Sequence, residues 1–423
     1  MTVPSKILAA KPTGQLSLFG VLDQYGQGTQ DNDALYASLV GCGAITHEGL
    51  SLRRPMGHAR REYSTLKQRV RWFQQDLKRR GLLEPVAGKR GHWGPTQEGR
   101  RTIAQRQQEL EPATPGIVQL GFSTELGMAL WADCKDAAEV IDQPISCILT
   151  SPPYPLARQR DYGGPARHEW VDWLCACLEP LVKRMVAGAT LFLNTSNDIF
   201  ETGSPERSMY QEEMVLALYH RLGLRKMDMI PWHNPTKAPG PLQWASLRRV
   251  QLNTTWEPIY FFTNDPQRCI ADNRRVLQPH TENHAKLIAS GGAKSAGVFG
   301  DGANRRKVGS FSRPTDGAIL RNLLRQPHRC PSQGQMRGIL KDMGIPLHSA
   351  TMPLSVAKPL VEFGCPPGQL TVDPFGGWAT TAMACQLTGR QWAIFERMRA
   401  YLHAARLRFS LQGIAVDEDL SAQ

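Results

Sequence analysis

The sequence lacks the features of a membrane, disulfide-stabilised or zinc-binding protein. No apolar run approaches the roughly 18 residues that a transmembrane helix needs, and the opening segment MTVPSKILAAKPTGQ has no signal-peptide core. The nine cysteines are scattered without a C-x-x-C pair, so Cys175 and Cys177 are interpreted as buried thiols rather than metal ligands. We therefore expect a cytoplasmic protein that uses no membrane and no metal.

Basic charge is what the sequence has in excess. It contains 50 Lys and Arg against 38 Asp and Glu, a formal net charge of +12. Residues 53–101 hold 14 basic against 4 acidic residues, and residues 265–345 hold 14 against 6, so the rest of the chain is net acidic. Two separate basic blocks favour two surfaces that contact a polyanion such as DNA, with ordinary solvated faces as the alternative.

The first basic block falls in a small helical unit predicted over residues 33–115, after a loosely ordered arm at 1–32. The segment DNDALYASLV predicts a helix capped by Asp. A second helix is expected over about 60–80, with an apolar stripe on one face and Lys67 and Arg71 on the other.

The segment GLLEPVAGKRGHWGPTQEGRRTI follows that helix and predicts two short extended pieces around a Gly-rich tip. Lys89 and Arg90 stand at the tip. A helix, a basic helix and a hairpin in that order suggest a winged helix that contacts DNA. A helical dimerisation or packing unit is the alternative.

From about residue 117 strands and helices alternate, which is typical of a doubly wound α/β sheet. The division expected is a catalytic domain at 116–264 and 346–423, interrupted by a loop-rich basic insertion at 265–345. The predicted strands are 145–149, 189–194, 256–262 near the sheet edge, 369–373 and 391–396, and the predicted helices are 167–185, 208–223, 353–364, 380–389 and 399–410.

The motif TSPPY directly follows the apolar strand ISCIL. Two prolines fix the turn and lack N–H groups, so their carbonyl oxygens are available as acceptors. Tyr154 is suited to stack on an extruded base, while Ser151 and the carbonyl of Pro152 accept from its amino group. Such acceptors favour a more reactive amine nitrogen. A purely structural Ser-Pro-Pro turn is the alternative.

The segment VDPFGGWATT also lies between a strand and a helix. Its glycines allow close approach of a cofactor, and Glu396 ends the next strand, where it is placed to accept from ribose hydroxyls. The turn is not a full G-x-G-x-x-G, which favours a nucleoside without a pyrophosphate.

Together these motifs resemble the β-group amino DNA methyltransferases, most closely the PvuII-type cytosine-N4 enzymes. The resemblance covers about residues 120–410 and includes TSPPYPLARQRDYG, HEWVDWL, WHNPTKAPGPLQW, NTTWEPIYFF, HSATMP and VDPFGGWATT in the family's order. It implies a Rossmann-like S-adenosylmethionine-dependent sheet with permuted motif order and a target-recognition region at 265–345. It also implies a double-stranded DNA substrate and a bacterial or phage enzyme, either paired with a restriction endonuclease or solitary.

The resemblance assigns the site residues by position. The catalytic motif would be Ser151, Pro152, Pro153 and Tyr154. The S-adenosylmethionine site would include Asp133, Pro353, Asp373, Phe375, Gly376, Gly377, Thr380 and Glu396. Charge and position add candidate DNA contacts at Lys67, Arg71, Lys89, Arg90, Lys237, Arg248, Arg249, Arg305, Arg306 and Lys307.

The residue before the two prolines indicates which amine is methylated. Family members acting on adenine N6 usually carry Asp or Asn there, and those acting on cytosine N4 usually carry Ser, so Ser151 favours cytosine. Adenine N6 is the alternative.

The family's F-x-G-S-G-T is also altered here, because Trp378 enters the turn and Ala379 replaces its second glycine. A winged-helix regulator with an inactive methyltransferase domain is therefore a further alternative.

Overall fold

The computed structural model describes residues 16–56, 61–109, 111–156, 164–300, 302–343, 345, 347 and 351–418. No helix within these ranges is both long and apolar enough to span a bilayer. Residues 1–15 of the predicted arm, 57–60 before and at the start of the predicted second helix, 157–163 after TSPPYP and 348–350 of HSATMP lie outside them.

The described ranges contain thirteen α-helices, together with short 3-10 turns and one π-helical turn. The helices are α1 (Leu18–Asp23), α2 (Asn32–Gly41), α3 (His47–Ser51), α4 (Thr65–Arg79), α5 (Gln97–Glu109), α6 (Ala137–Val140), α7 (Trp170–Val182), α8 (Tyr210–Arg221), α9 (Glu282–Ala289), α10 (Pro331–Asp342), α11 (Leu354–Gly364), α12 (Thr380–Gln386) and α13 (Arg399–Leu411).

The same ranges contain seventeen strands. These are β1 (Gln30–Asp31), β2 (Arg53–Met56), β3 (Arg61–Ser64), β4 (Leu83–Pro85), β5 (His92–Pro95), β6 (Gln119–Thr124), β7 (Gly127–Trp131), β8 (Ile145–Thr150), β9 (Met185–Asn194), β10 (Arg225–His233), β11 (Trp256–Thr263), β12 (Gly297–Phe299), β13 (Asn304–Arg306), β14 (Leu324–Arg325), β15 (Leu370–Asp373), β16 (Gln391–Glu396) and β17 (Asp417–Glu418).

The N-terminal unit packs α1, α2, α4 and α5 around its own apolar core, beside an antiparallel sheet in the order β1-β5-β4. The predicted hairpin is present as β4 and β5, and Asp31 caps α2 by accepting from the amide of Ala34 at 2.8 Å. The arm prediction is wrong for its described part, because α1 buries Val21 and Leu22 in this core. The second helix begins at Thr65 rather than 60, since residues 61–64 pair with β2.

The remainder of the chain is built on a mixed sheet whose order is β14-β10-β11-β9-β8-β15-β16-β7-β6-β17. The five central strands β9, β8, β15, β16 and β7 are parallel. Because all six residues of β8 are buried, this strand is the continuous apolar run expected of a parallel strand that is covered on both faces.

Helices cover both faces of this sheet. One apolar core contains Trp170 and Leu174 of α7 and Leu218 of α8, and the core on the opposite face contains Leu360 of α11 and Phe409 of α13. The architecture is therefore the predicted doubly wound α/β type. The carboxyl ends of its parallel strands meet at one edge, called here the catalytic edge, where such folds bind ligands.

Two details of the predicted arrangement are corrected. The strand WEPIYFF was expected near the sheet edge, but as β11 it lies between β10 and β9. The insertion predicted at 265–345 is not uniformly loop-rich. Its last part supplies β14, which pairs with β10, and α10, which packs against α13. Both bury apolar side chains, among them Leu324 and Met336.

Candidate active site

The two predicted motifs lie on neighbouring strands. β8 and β15 are parallel and in register at Ile148 and Val372, so the turn after Thr150 stands beside the turn that begins at Asp373. A hydrogen bond from Thr150 Oγ1 to Asp373 Oδ1, at 2.6 Å, joins the two turns directly. The segments that carry TSPPY and DPFGG therefore share one region of the catalytic edge.

Both oxygens of the Asp373 carboxyl group accept hydrogen bonds from the protein. Oδ1 also accepts from the amide of Phe375 at 3.0 Å, and Oδ2 accepts from Thr381 Oγ1 at 2.7 Å. Burial raises the pKa of Asp373, and these three hydrogen bonds oppose that shift. The carboxyl group therefore links the two turns.

Within TSPPY, the hydroxyl groups of Ser151 and Tyr154 lie 3.2 Å apart. Tyr154 Oη donates to Asn194 Oδ1 at 3.1 Å, and Ser151 Oγ lies 3.4 Å from the same oxygen. The carbonyl oxygen of Pro153 accepts from the indole N–H of Trp170 at 2.7 Å. Pro152 is buried, whereas Ser151 and Tyr154 are half-buried, which leaves these two side chains partly accessible to a ligand.

Asn194 is a site residue that sequence reasoning missed. It ends β9, the strand beside β8, and its amide is oriented because Nδ2 donates to the carbonyl of Pro258 at 3.2 Å. This orientation presents Oδ1 to the TSPPY hydroxyl groups. Its one sequence signal was a polar side chain at the end of the apolar strand ATLFLN, where a parallel strand reaches the catalytic edge.

A second missed residue is Glu257 on β11. Its Oε2 lies 3.4 Å from Tyr154 Oη, and its Oε1 accepts from Lys237 Nζ at 3.2 Å. Lys237, predicted to contact a phosphate, is thus half-buried in an ion pair beside the TSPPY motif.

The predicted cofactor turn is connected to the end of β16. Gly377 has a left-handed backbone, with φ +52°, which glycine adopts without strain. Its amide donates to Glu396 Oε2 at 2.7 Å, and the amide of Met398 donates to Oε1 at 2.7 Å. Burial raises the pKa of Glu396 to about 7 despite these two donors. Glu396 and the Gly-rich turn are therefore one unit.

The altered part of the turn has its own support. Ala379 is left-handed, with φ 54°, a conformation that costs a non-glycine residue about 1–2 kcal/mol. Trp378 is 1% exposed, and the guanidinium group of Arg337 lies 5.0 Å from the centre of its ring. The bulky Trp378 is thus packed beneath α10 rather than projecting into solvent.

Arg408 of α13 is the other missed residue at this turn. It is 0% exposed and donates from Nη1 to the carbonyl of Trp378 at 3.0 Å and to Thr380 Oγ1 at 2.9 Å. Thr380 Oγ1 also accepts from Gln333 Nε2 of α10 at 3.2 Å. The hydroxyl group of Thr380, a predicted cofactor contact, is thus fixed from two sides.

The remaining predicted cofactor residues lie nearby. Phe375 is half-buried, with its ring centre 5.2 Å from that of Trp173. Asp133 follows β7, which pairs with β16 at Trp131 and Glu396. Pro353 is buried at the start of α11. The described edge therefore brings together the ends of β7, β16, β15 and β8, which carry most of the predicted set.

The candidate DNA contacts fall on three separate surfaces. On the N-terminal unit, Lys67 covers the ring of Tyr36 at 4.9 Å, while Arg71 and the hairpin-tip residues Lys89 and Arg90 are exposed. Arg248 and Arg249 are exposed between β10 and β11, and Arg305, Arg306 and Lys307 lie on and after β13.

Fold and site together define an α/β methyltransferase, and the comparisons with known proteins specify its family. The DNA methylase family of N6 and N4 enzymes matches residues 145–407. The type II methyltransferase M.PvuII of Proteus hauseri is 30% identical over 295 residues, which cover 68% of this chain and 85% of that protein. The chain therefore belongs to the DNA methylase family and is a DNA methyltransferase.

Two further matches agree with this conclusion. The type II methyltransferase M.MwoI of Methanothermobacter wolfeii is 25% identical over 167 residues, which cover 36% of this chain and 23% of that protein. The solved structure of a PvuII DNA methyltransferase, described as cytosine-N4-specific, superposes with a TM-score of 0.54 at 24% identity. The superposition covers 70% of this chain and 90% of that one, and it supports the fold.

Proposed function

We propose that this enzyme transfers a methyl group from S-adenosylmethionine to the exocyclic N4 of a cytosine flipped out of duplex DNA. The observation that carries the proposal is the direct hydrogen bond between Thr150 and Asp373. It fixes the TSPPY turn and the Gly-rich turn as neighbours, so a base bound by one is close to a methyl donor bound by the other.

The residues of the second turn fit S-adenosylmethionine. A buried carboxyl group on Glu396 and a left-handed glycine at 377 stand together at the ends of adjacent parallel strands, as nucleoside binding requires. When bound, the cofactor supplies a methyl group on a positively charged sulfur. Glu396 accepts from the ribose hydroxyl groups, and Asp373 positions the turn through its three donors.

The residues of the first turn fit a flipped cytosine. Tyr154 stacks on the base, while Ser151 Oγ and the carbonyl of Pro152 accept from the amino group and orient its nitrogen. Asn194 holds the hydroxyl groups of Ser151 and Tyr154 in place. Because serine is too weak a base to ionise the amine beforehand, the proton leaves to water during or after direct transfer.

Ser151 selects cytosine over adenine in this proposal, and M.PvuII, the 30% identical relative, is a type II methyltransferase. The test is to incubate plasmid DNA with the enzyme and S-adenosylmethionine, digest the DNA to nucleosides and identify the product by mass. N4-methylcytosine is expected. N6-methyladenine would overturn the choice of base, and Ser151→Ala, which keeps both prolines, serves as the matched low-activity control.

The absence of any methylated nucleoside would instead favour the regulator alternative. Calorimetry with S-adenosylmethionine then separates an inactive fold, which does not bind the cofactor, from an active enzyme without its DNA site. The presence of Trp378 and Ala379 does not by itself abolish the turn, since Arg408 and Gln333 hold its next residue, Thr380.

We also propose that the N-terminal unit is a winged helix that contacts DNA. Its support is the order α1, β1, α2, α4, β4 and β5, with α3 and the β2–β3 hairpin inserted between α2 and α4. The sheet order β1-β5-β4 and the exposed Lys89 and Arg90 at the hairpin tip add to it. The double variant Lys89→Ala/Arg90→Ala should weaken binding to duplex DNA and reduce its salt dependence by about two phosphate contacts. An unchanged salt dependence of DNA binding would mean that this unit serves in packing rather than in DNA contact.

A further inference from the structure

The segment between β10 and β11, residues 234–255, rises from the catalytic edge. β11 runs antiparallel to β9, so its start lies beside the end of β9 at Asn194, and β10 ends opposite that start, with His233 paired to Trp256. The segment is closed at its base, because the amide of Asn234 donates to the carbonyl of Thr255 at 2.8 Å and that of Thr254 to Gly240 at 2.7 Å. We call residues 241–252 the edge loop.

The edge loop exposes an unusual amount of apolar surface. Its side chains stand out from the π-helical turn and the residues after it: Leu242 is 65% exposed, Leu247 67%, Val250 56% and Leu252 88%. Isolated exposed apolar residues are common, but a cluster on one short segment marks a surface that binds something.

Charge and backbone on the same loop indicate what it binds. Arg248 and Arg249 lie between the apolar residues and are exposed. Arg249 adopts a left-handed backbone, φ 57°, a conformation that is uncommon outside glycine and clusters at functional sites. Apolar side chains flanked by guanidinium groups match a DNA duplex, whose phosphates attract the arginines and whose stacked bases accept apolar wedges.

The loop is also coupled to the catalytic motif. At its base Lys237 pairs with Glu257, whose other oxygen lies 3.4 Å from Tyr154 Oη. The base of the segment that carries the edge loop therefore lies beside the residue proposed to stack on the target base.

We propose that the edge loop is the wedge that enters the duplex at the target position, with Leu252 inserting into the space that the flipped base leaves. This inference rests on the proposed function, because the space that Leu252 would fill exists only where a base is flipped out of the duplex. Leu252 is chosen because it is the most exposed of the four apolar residues and lies two residues before Thr254, which closes the base of the segment. Arg248 and Arg249 hold the flanking phosphates.

A second exposed apolar element competes for this role. The β12–β13 hairpin exposes Val298 by 66% and Phe299 by 54% beside Arg305. It belongs to the basic region predicted to recognise the target, whereas the base of the edge loop is linked to Tyr154 through Lys237 and Glu257, so base reading fits the hairpin better than wedging. Val298→Ala is accordingly included in the experiment.

The experiment compares Leu252→Ala with Leu216→Ala, which removes a 58% exposed leucine from α8, and with Val298→Ala. The target sequence is first mapped by sequencing DNA modified by the wild-type enzyme. Two duplexes then carry a fluorescent cytosine analogue at the target, one paired with guanine and one opposite a mismatched base. Flipping is read from the fluorescence rise on binding, and kcat/KM from methyl transfer to the unlabelled duplexes.

Leu252→Ala should reduce the fluorescence rise and kcat/KM on the paired duplex by about tenfold or more, because the side chain no longer stabilises the unstacked base step. The mismatched duplex should largely restore both, because its base is already unpaired. Leu216→Ala should match wild type. The inference would be overturned if Leu252→Ala behaved like the wild type or lost kcat/KM equally on both duplexes. It would also be overturned if Val298→Ala were the one variant whose loss of kcat/KM is restored by the mismatch. A wild-type enzyme that neither modifies DNA nor binds S-adenosylmethionine would instead overturn the proposed function.

Discussion

Thr150 Oγ1 and Asp373 Oδ1 lie 2.6 Å apart although 223 positions separate the two residues in the chain. Both side chains are buried, so their hydrogen bond is shielded from competition with water. The bond couples the last residue of β8 to the last residue of β15. The TSPPY turn and the Gly-rich turn are therefore held next to each other by one short contact.

Thr150→Val keeps the shape of the side chain and removes this donor. We expect the free energy of unfolding to fall by about 1–3 kcal/mol, because a buried carboxyl group loses one of its three donors, and kcat/KM for methyl transfer to fall further than stability alone explains. Thermal unfolding and steady-state assays measure the two effects.

Thr190→Val is the matched control for that substitution. Thr190 is also 0% exposed and donates to the carbonyl of Gly364 at 3.1 Å, away from both turns. It should lose stability without loss of kcat/KM measured well below its unfolding temperature. Equal kinetic losses in the two variants would mean that Thr150 acts on folding alone.

Arg408→Met tests whether a buried guanidinium group shapes the cofactor turn. The variant removes the donors to the Trp378 carbonyl and Thr380, so we expect the Kd for S-adenosylmethionine, measured by calorimetry, to rise by about tenfold, the equivalent of one hydrogen bond from a charged donor. Arg390→Met is the control, because Arg390 is 5% exposed and donates to the carbonyl of Cys365 at 3.1 Å, outside the site. A similar change of Kd in both would contradict a specific role.

The strands that carry the motifs could be predicted from sequence because their signals are local. β8, β15 and β16 are short apolar runs bounded by turn residues, and the ends of parallel strands share one edge of a sheet. That reasoning anticipated the common location of Ser151 and Gly377. It also predicted the β4–β5 hairpin, whose Gly-rich tip is encoded within a few residues.

The residues missed depend on contacts between distant segments. Asn194 reaches Tyr154 only because β9 pairs with β8, which the sequence of β9 does not encode. In the sequence, Arg408 is indistinguishable from the other basic residues of an amphipathic helix. Its burial follows from the packing of α10 on α13. β11 was expected near the sheet edge, but β10, for which no strand was predicted, pairs with its outer side.

The raised pKa of Glu396, about 7, predicts a pH-dependent affinity for S-adenosylmethionine. Burial favours the protonated form, so the folded protein gains stability from this group at low pH and loses it as the pH rises through about 7. The ionised form is the better acceptor for ribose hydroxyl groups, so the Kd should decrease as the pH rises from about 6 to 8. Glu396→Gln should bind more weakly with a flat pH profile; a Kd that increases with pH would contradict the assignment.

The roles of the ring and the hydroxyl group of Tyr154 can be separated by two substitutions. Tyr154→Phe keeps the stacking face and loses the contacts of Oη with Ser151 and Asn194, so kcat/KM should fall by less than about tenfold. Tyr154→Ala also loses base stacking, which contributes about 1–3 kcal/mol per base, and should fall by a further factor of about 5 to 150.

Neither substitution should change the Kd for S-adenosylmethionine, because Tyr154 lies on the TSPPY turn, which is proposed to bind the base rather than the cofactor. Tyr219→Ala, which removes a 43% exposed tyrosine from α8, should retain full activity. If Tyr154→Phe lost as much activity as Tyr154→Ala, stacking would contribute nothing and the hydroxyl network with Asn194 would be the principal function of this residue.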